Sequence, residues 1–349
     1  MPRGYVFGLK AHTGVRHVQN FSLGHSTSVV FPYTFPQIDF NQFDFCVIDF
    51  IVNEDVFEKT NATRLAVKSR LRFLLHAMAG TSCIPIFMLM PAEQRRGKVF
   101  PVHQIYLDFS REFGVPVFDG YRALERLLGA SDLEVTSHFR DSSHLAEWVA
   151  APLGLELANQ LDRISRSRPM SRIEMSMGHH YAYCTLAKDL DGPFDRIQRK
   201  TSLVTAEFLH SERPDDIMVP VGSAERVVGI GLNLSQTNTP IAVSSGGAGE
   251  DAWYGLDYFD EAARKFVFVV RTLEPVTCVD GAVRLAWPAA PQVQPTMVEI
   301  HGLALELPPA PMKLTHFGFS ADQVHLVDAL PDRAFHTLAL EGKRLLNPS

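Results

Sequence analysis

Asp141-Ser142-Ser143-His144 places a carboxylate three residues before an imidazole. A carboxylate held against one ring nitrogen of a histidine fixes the tautomer, so that the other nitrogen can take a proton from a hydroxyl. The same four residues also suit a plainer role, in which Asp141 caps a following helix and His144 is a first-turn surface residue. Two more groups could act with them. Asn53 follows a nearly apolar run, residues 43–52. At the carboxyl end of a buried strand, its amide could donate to an oxyanion, or it could simply cap the next turn. Gly24 ends Asn20-Phe21-Ser22-Leu23-Gly24; its backbone N–H could serve the same oxyanion, or it could be a turn glycine.

Such residues have to be delivered by the ends of strands. Residues 15–22 and 43–52 read as strands, the second apolar enough to be buried on both faces. Residues 60–79 read as a helix capped by Thr60 or Asn61 and stopped by Gly80. Residues 83–90 form another buried strand and 102–113 a helix. Residues 115–118 give a short strand, 123–128 a helix, and 143–161 the last helix. Alternating strands and helices imply a parallel sheet with helices on both faces. From about residue 170 helical periodicity fades and short apolar runs recur at 217–221, 226–234, 241–243, 265–271, 282–287 and 297–300. These imply an all-β sandwich. The Ser- and Arg-rich stretch 163–172 reads as the linker, giving an α/β domain over 1–165 and a β-sandwich domain over 166–349.

The order Asn20-x-Ser22-x-Gly24, then Phe45-Cys46-Val47-Ile48-Asp49-x-x-Val52-Asn53-Glu54, then Asp141-x-x-His144 resembles the SGNH/GDSL esterase superfamily over residues 1–165. The resemblance implies a flavodoxin-like sheet, a serine ester intermediate, Gly24 and Asn53 at the oxyanion-hole positions, and His144 with Asp141 as base and orienter. It also implies a Ser after the first strand, and here two readings are open. In one, Gly24-His25-Ser26 is a degenerate first block and Ser26 is the nucleophile. In the other, Gly24 belongs to the second block, residues 3–13 are the helix after the first strand, and that strand with its Ser lies before Met1. The second is preferred because no glycine between Gly24 and Gly80 could otherwise serve the second block. A missing central strand would orphan buried backbone groups at about 1–3 kcal/mol each.

The expected activity is therefore esterase or acyltransferase chemistry on O-acyl, chiefly O-acetyl, groups of a carbohydrate; the sugar rests on the resemblance alone. The alternative is a non-catalytic glycan-binding or assembly protein with a degenerate SGNH domain. Trp253 and Tyr254, with Tyr258 and Trp287, are candidates for contact with a glycan, or for core positions of the sandwich. No cofactor is called for: no G-x-G-x-x-G or phosphate-binding loop follows a strand. The pair His179-His180, with Cys184 beyond it, lacks a second ligand pair for a metal. The net charge of −6 over 349 residues argues against nucleic acid as partner. Four scattered cysteines, the lack of an apolar leader and the lack of a membrane-length run suggest a cytoplasmic protein without a membrane span.

Overall fold

The computed structural model describes residues 4–95, 98, 100–130, 134–166, 171–176, 178–190, 194–200, 204–212, 215–245, 252–254, 266–287, 297–309, 313–320, 323–329 and 332–337. The first half contains helices α1 (Tyr5–Ala11), α2 (Phe31–Thr34), α3 (Ile51–Phe57), α4 (Asn61–Ala77), α5 (Pro101–Phe113), α6 (Gly120–Gly129) and α7 (Glu147–Arg166). Among them lie strands β1 (Phe45–Ile48), β2 (Ile84–Leu89) and β3 (Val117–Asp119), which form a parallel sheet in the order β1-β2-β3. A hairpin of β4 (Phe139–Asp141) and β5 (His144–Leu145) precedes α7.

Local chemistry accounts for these elements. Thr60 and Thr63 form a reciprocal capping box at the start of α4. Pro101 opens α5, and Gly114 closes it in the left-handed conformation at φ 60°. Asp119 accepts the N–H groups of Tyr121 and Arg122 at 3.1 and 3.2 Å and so caps α6. Side chains of β2 alternate between faces as the strand period demands. Phe87 and Leu89 join the core under α4 and α5, whereas Ile86 and Met88 join the core under α6 and α7. Each such buried apolar side chain contributes about 1.5–3 kcal/mol.

Residues 15–22, expected as a strand, are not one: the backbone from Val15 to Leu23 is irregular. Asn20 Oδ1 accepts both the backbone N–H and the hydroxyl of Ser22, at 2.9 and 2.5 Å. A local side-chain turn has thus taken over groups that a ladder would need. Strand β1 is the edge of the sheet beside it. The last helix of this half begins at Glu147 rather than at residue 143, because 139–145 pair as the hairpin.

The second half is antiparallel. Its strands are β6 (Ser171–Ser176), β7 (His180–Thr185), β8 (Asp195–Lys200), β9 (Thr205–Ser211), β10 (Ile217–Pro220), β11 (Arg226–Asn233), β12 (Ile241–Ser244), β13 (Ala252–Tyr254), β14 (Phe268–Thr277), β15 (Ala282–Ala286), β16 (Val298–Leu307) and β17 (Lys313–Gly318). One sheet runs β10-β15-β12-β13; a larger one runs β14-β11-β16-β9-β8, with β7 also paired to β16. Val219, Val243 and Leu285 from the first sheet share a core with Ile230, Val269 and Leu305 from the second. Beyond β17 the chain returns to the first half, where Phe319, Val324, Leu326 and Phe335 pack with α6 and α7. No helix among the described residues is long and apolar enough to cross a membrane.

Candidate active site

Asp141 and His144 meet on the turn of the β4–β5 hairpin rather than at a helix start. Asp141 Oδ1 accepts from His144 Nδ1 at 2.7 Å and from the Ser143 N–H at 3.0 Å, while Oδ2 accepts from Arg140 Nε at 3.2 Å. Desolvation works against ionising Asp141, but the bonds from His144, Ser143 and Arg140 outweigh it and bring its pKa down to about 2. With Nδ1–H committed to this carboxylate, the free lone pair of His144 lies on Nε2, as a general base requires. The hairpin is anchored to α7: Trp148 Nε1 donates to the Ser137 carbonyl at 2.9 Å, and its ring packs on His138 at 4.8 Å.

His144 opens onto a cavity of about 320 Å³. Its walls include Gly4, Tyr5, Asp49, Asn53, Arg140 and Ser143. A close helix crossing sets the Gly4–Tyr5 wall, because α1 lies on α7 with almost no side chain between them. A Cβ on Gly8 would fall 1.7 Å from the Ala151 carbonyl oxygen, and one on Gly154 would fall 2.0 Å from that of Tyr5. Asn53 sits in the first turns of α3, not at the tip of a strand, and its Nδ2 donates to the Ser26 carbonyl at 2.9 Å. A primary amide carries two N–H donors, so one remains for a ligand.

Of the residues picked out from sequence, the structure brings together His144, Asp141 and Asn53. Gly24 lies on an exposed turn outside the cavity lining. Ser26 is fully buried and its Oγ accepts the Val270 N–H at 3.0 Å, so its hydroxyl faces the second half rather than His144. The Ser26 nucleophile is therefore set aside. Trp253 and Tyr254 lie on β13, and their side chains fall outside the described residues; Tyr258 does so entirely. His179 groups with Glu225 and Glu306, donors within 4.8 Å of one another, and not with Cys184. Arg226 also pairs with Glu306 and supplies positive charge at that cluster.

The chain shares its fold with a two-domain esterase. A crystal structure of a two-domain esterase (CEX) active on acetylated mannans superposes with a TM-score of 0.61 at 11% identity, covering 83% of this chain and 80% of that one. A second structure of that esterase, co-crystallized with mannopentaose, gives 0.58 at 12% identity over 82% and 80%. At these identities the likeness is one of fold. No family model and no curated protein matches the sequence.

Sequence reasoning passed over Asp49 and Tyr5. Asp49 occurs in the quoted Phe45–Glu54 run, but nothing there gave it a task. Burial raises its pKa to about 7, although the Tyr5 hydroxyl donates to it and pulls the other way. A carboxyl that titrates near neutrality on a cavity wall can hold or release a proton beside a bound ligand. The signal that could have found it was a lone Asp inside an otherwise apolar strand end, where few charges are placed without reason.

Proposed function

We propose that the protein is an SGNH-type serine esterase or acyltransferase acting on O-acyl groups of a carbohydrate. The observation that carries this reading is the 2.7 Å Asp141–His144 pair at the mouth of a cavity whose wall also offers the Asn53 amide. His144 Nε2 takes the proton of a hydroxyl as it attacks the acyl carbonyl, and the second N–H of Asn53 donates to the oxyanion. The ester carbon passes from the sugar oxygen to the serine oxygen, and the proton held on His144 goes to the departing sugar. Water then releases the acid, or a second sugar hydroxyl takes the acyl group. The fold likeness to an esterase active on acetylated mannans supports a polysaccharide ester as substrate.

In this reading the nucleophilic Ser arrives on a strand that pairs with the open edge of β1 and leads into α1, whose first residues line the cavity. The experiment is hydrolysis of p-nitrophenyl acetate and of acetylated manno-oligosaccharide by two forms: this chain, and one extended upstream in frame. Activity in the extended form that is lost in His144→Ala is the expected result. Inactivity of both forms toward both substrates would sink the esterase reading. The burial of Ser26 favours the second reading, a glycan-binding protein with a degenerate site. Binding of the oligosaccharide by both forms without turnover would support it.

A further inference from the structure

The segment between Leu23 and Val29 is held from two sides by long-range bonds. From the second half, three consecutive residues of β14 engage it. The Val270 N–H donates to Ser26 Oγ at 3.0 Å, Arg271 Nη1 donates to the His25 carbonyl at 2.8 Å, and Thr272 Oγ1 bonds Thr27 Oγ1 at 2.8 Å. From the first half, Asn53 Nδ2 donates to the Ser26 carbonyl, Glu54 Oε1 accepts the Ser28 N–H at 3.1 Å, and Arg70 Nε donates to Ser28 Oγ at 2.8 Å. Inside this clamp His25 adopts φ 57°, the left-handed region that a residue with a Cβ enters only when its surroundings insist. Arg271 is itself buried and lies 3.7 Å over the ring of Phe57 at the end of α3. It therefore touches the segment and the helix that carries Asn53.

We propose that Arg271 is a positioning residue of the esterase site: from the second half of the chain it fixes the His25–Ser26 turn, and through the Ser26 carbonyl it sets the direction of the Asn53 amide. This rests on the esterase reading for its catalytic consequence, though not for its geometry. The Ser26 carbonyl meets Asn53 in one orientation, and that peptide follows directly after the His25 carbonyl that Arg271 holds and the Ser26 side chain that Val270 holds. Releasing the turn frees the amide to rotate, so that its second N–H no longer points steadily into the cavity. The all-β half is then a structural part of the catalytic site as well as a place where glycan could bind.

The test uses the full chain, in the form found active, with Arg271→Met, which keeps an apolar stem over Phe57 but removes the donor. Arg271→Lys restores a donor. Burial, then the Arg271 charge and, less strongly, the His144 charge act on the His25 imidazole, so the part of its midpoint that depends on His144 reports on the turn. The midpoint of His25 is read by NMR with and without His144→Ala. In the native chain His144→Ala shifts that midpoint; in Arg271→Met the shift disappears, and in Arg271→Lys it returns. Turnover number is expected to fall about ten- to a hundredfold in Arg271→Met at unchanged KM, with partial rescue by Lys. An unchanged His25–His144 coupling, or a loss confined to KM, would overturn the assignment. If no form hydrolyses ester, the esterase reading fails while the NMR coupling still decides whether Arg271 holds the turn. If Arg271→Met does not fold, Thr27→Val, which removes the Thr272 contact, carries the same expectation in smaller degree.

Discussion

Two groups with shifted pKa values, His301 and Asp49, are expected to act on stability in opposite directions between about pH 4 and pH 7, which makes their pair a test of this structure. His301 lies in the aromatic seam between the halves, with Tyr183 Oη 2.9 Å from its Nδ1 and the rings of Phe208 and Phe268 at 5.4 and 4.8 Å. Desolvation, and secondarily Lys188, lower its pKa from 6.5 to about 4. A histidine with a depressed folded pKa stabilises the fold above its unfolded pKa and loses that contribution as pH falls. Between about pH 7.5 and about pH 4.5 the loss comes to about 2–3 kcal/mol. Asp49 behaves in reverse: its pKa is raised from 3.8 to about 7, so it burdens the fold above neutrality. Over the same interval of falling pH it returns about 3 kcal/mol.

The two contributions oppose each other, so the native chain shows only their difference. Single variants unmask them. His301→Gln keeps an acceptor for Tyr183 but does not titrate; relative to the native chain it should gain about 2–3 kcal/mol on going from about pH 7.5 to about pH 4.5. Asp49→Asn should lose about 3 kcal/mol over the same change. Urea unfolding at the two pH values gives each difference directly, and constant offsets from altered packing drop out of the comparison. Parallel pH profiles for native chain and variants would refute the argument. So would a shift of the opposite sign in either variant.

Three further outcomes follow from the geometry. Gly154→Ala puts a methyl group 2.0 Å from the Tyr5 carbonyl oxygen and should push α1 off α7, costing about 1–3 kcal/mol in urea unfolding and lowering ester turnover through the Gly4–Tyr5 wall. Asp141→Asn removes the carboxylate that orients His144 and should lower turnover by at least about a hundredfold while leaving the melting temperature nearly unchanged, since both side chains are exposed. Arg70→Met strips the guanidinium that donates to the buried Glu58 carboxylate at 2.6 Å, and should cost about 3–5 kcal/mol in urea unfolding.

Legibility in the sequence followed the range of the interaction. Thr60, Gly80 and Gly114 announce helix ends through chemistry that acts within one turn, and α4 and α5 lie close to where that chemistry puts them. Apolar runs marked β2, β11, β12 and the first residues of β16, because a strand buried on both faces needs an uninterrupted run, and also the half-buried β10 and β15. Residues 15–22 failed for the complementary reason: a strand exists only when another strand accepts its ladder, and the run of residue types carries no information about the partner. The Asp141–His144 pair was readable because three residues separate its members. The same spacing fits a helix start and a hairpin turn, so the pair was found and its backbone was not.

What no local pattern contains is the seam. Arg271 and His25 are 246 positions apart, and Thr272 reaches Glu58 across 214. Around that seam Glu54 and Glu58 are buried with Arg70 and Arg271, and Glu58 is held above the usual carboxylate range by desolvation despite Arg70. Burying paired charges is costly, and apolar side chains of the same volume are often as stabilising or more so. An arrangement of that cost needs a return, and its position suggests one. Glu54 lies on α3, Glu58 caps its C-terminal end and Arg70 lies on α4; α3 also carries Asn53, and Glu54 and Arg70 both bond the 23–29 segment that carries His25. Directional bonds fix orientation where apolar contact fixes only distance, and an amide that must meet an oxyanion needs orientation. Under the proposed esterase function, the polar seam is the means by which two halves, each with its own core, would hold the Asn53 amide at one angle.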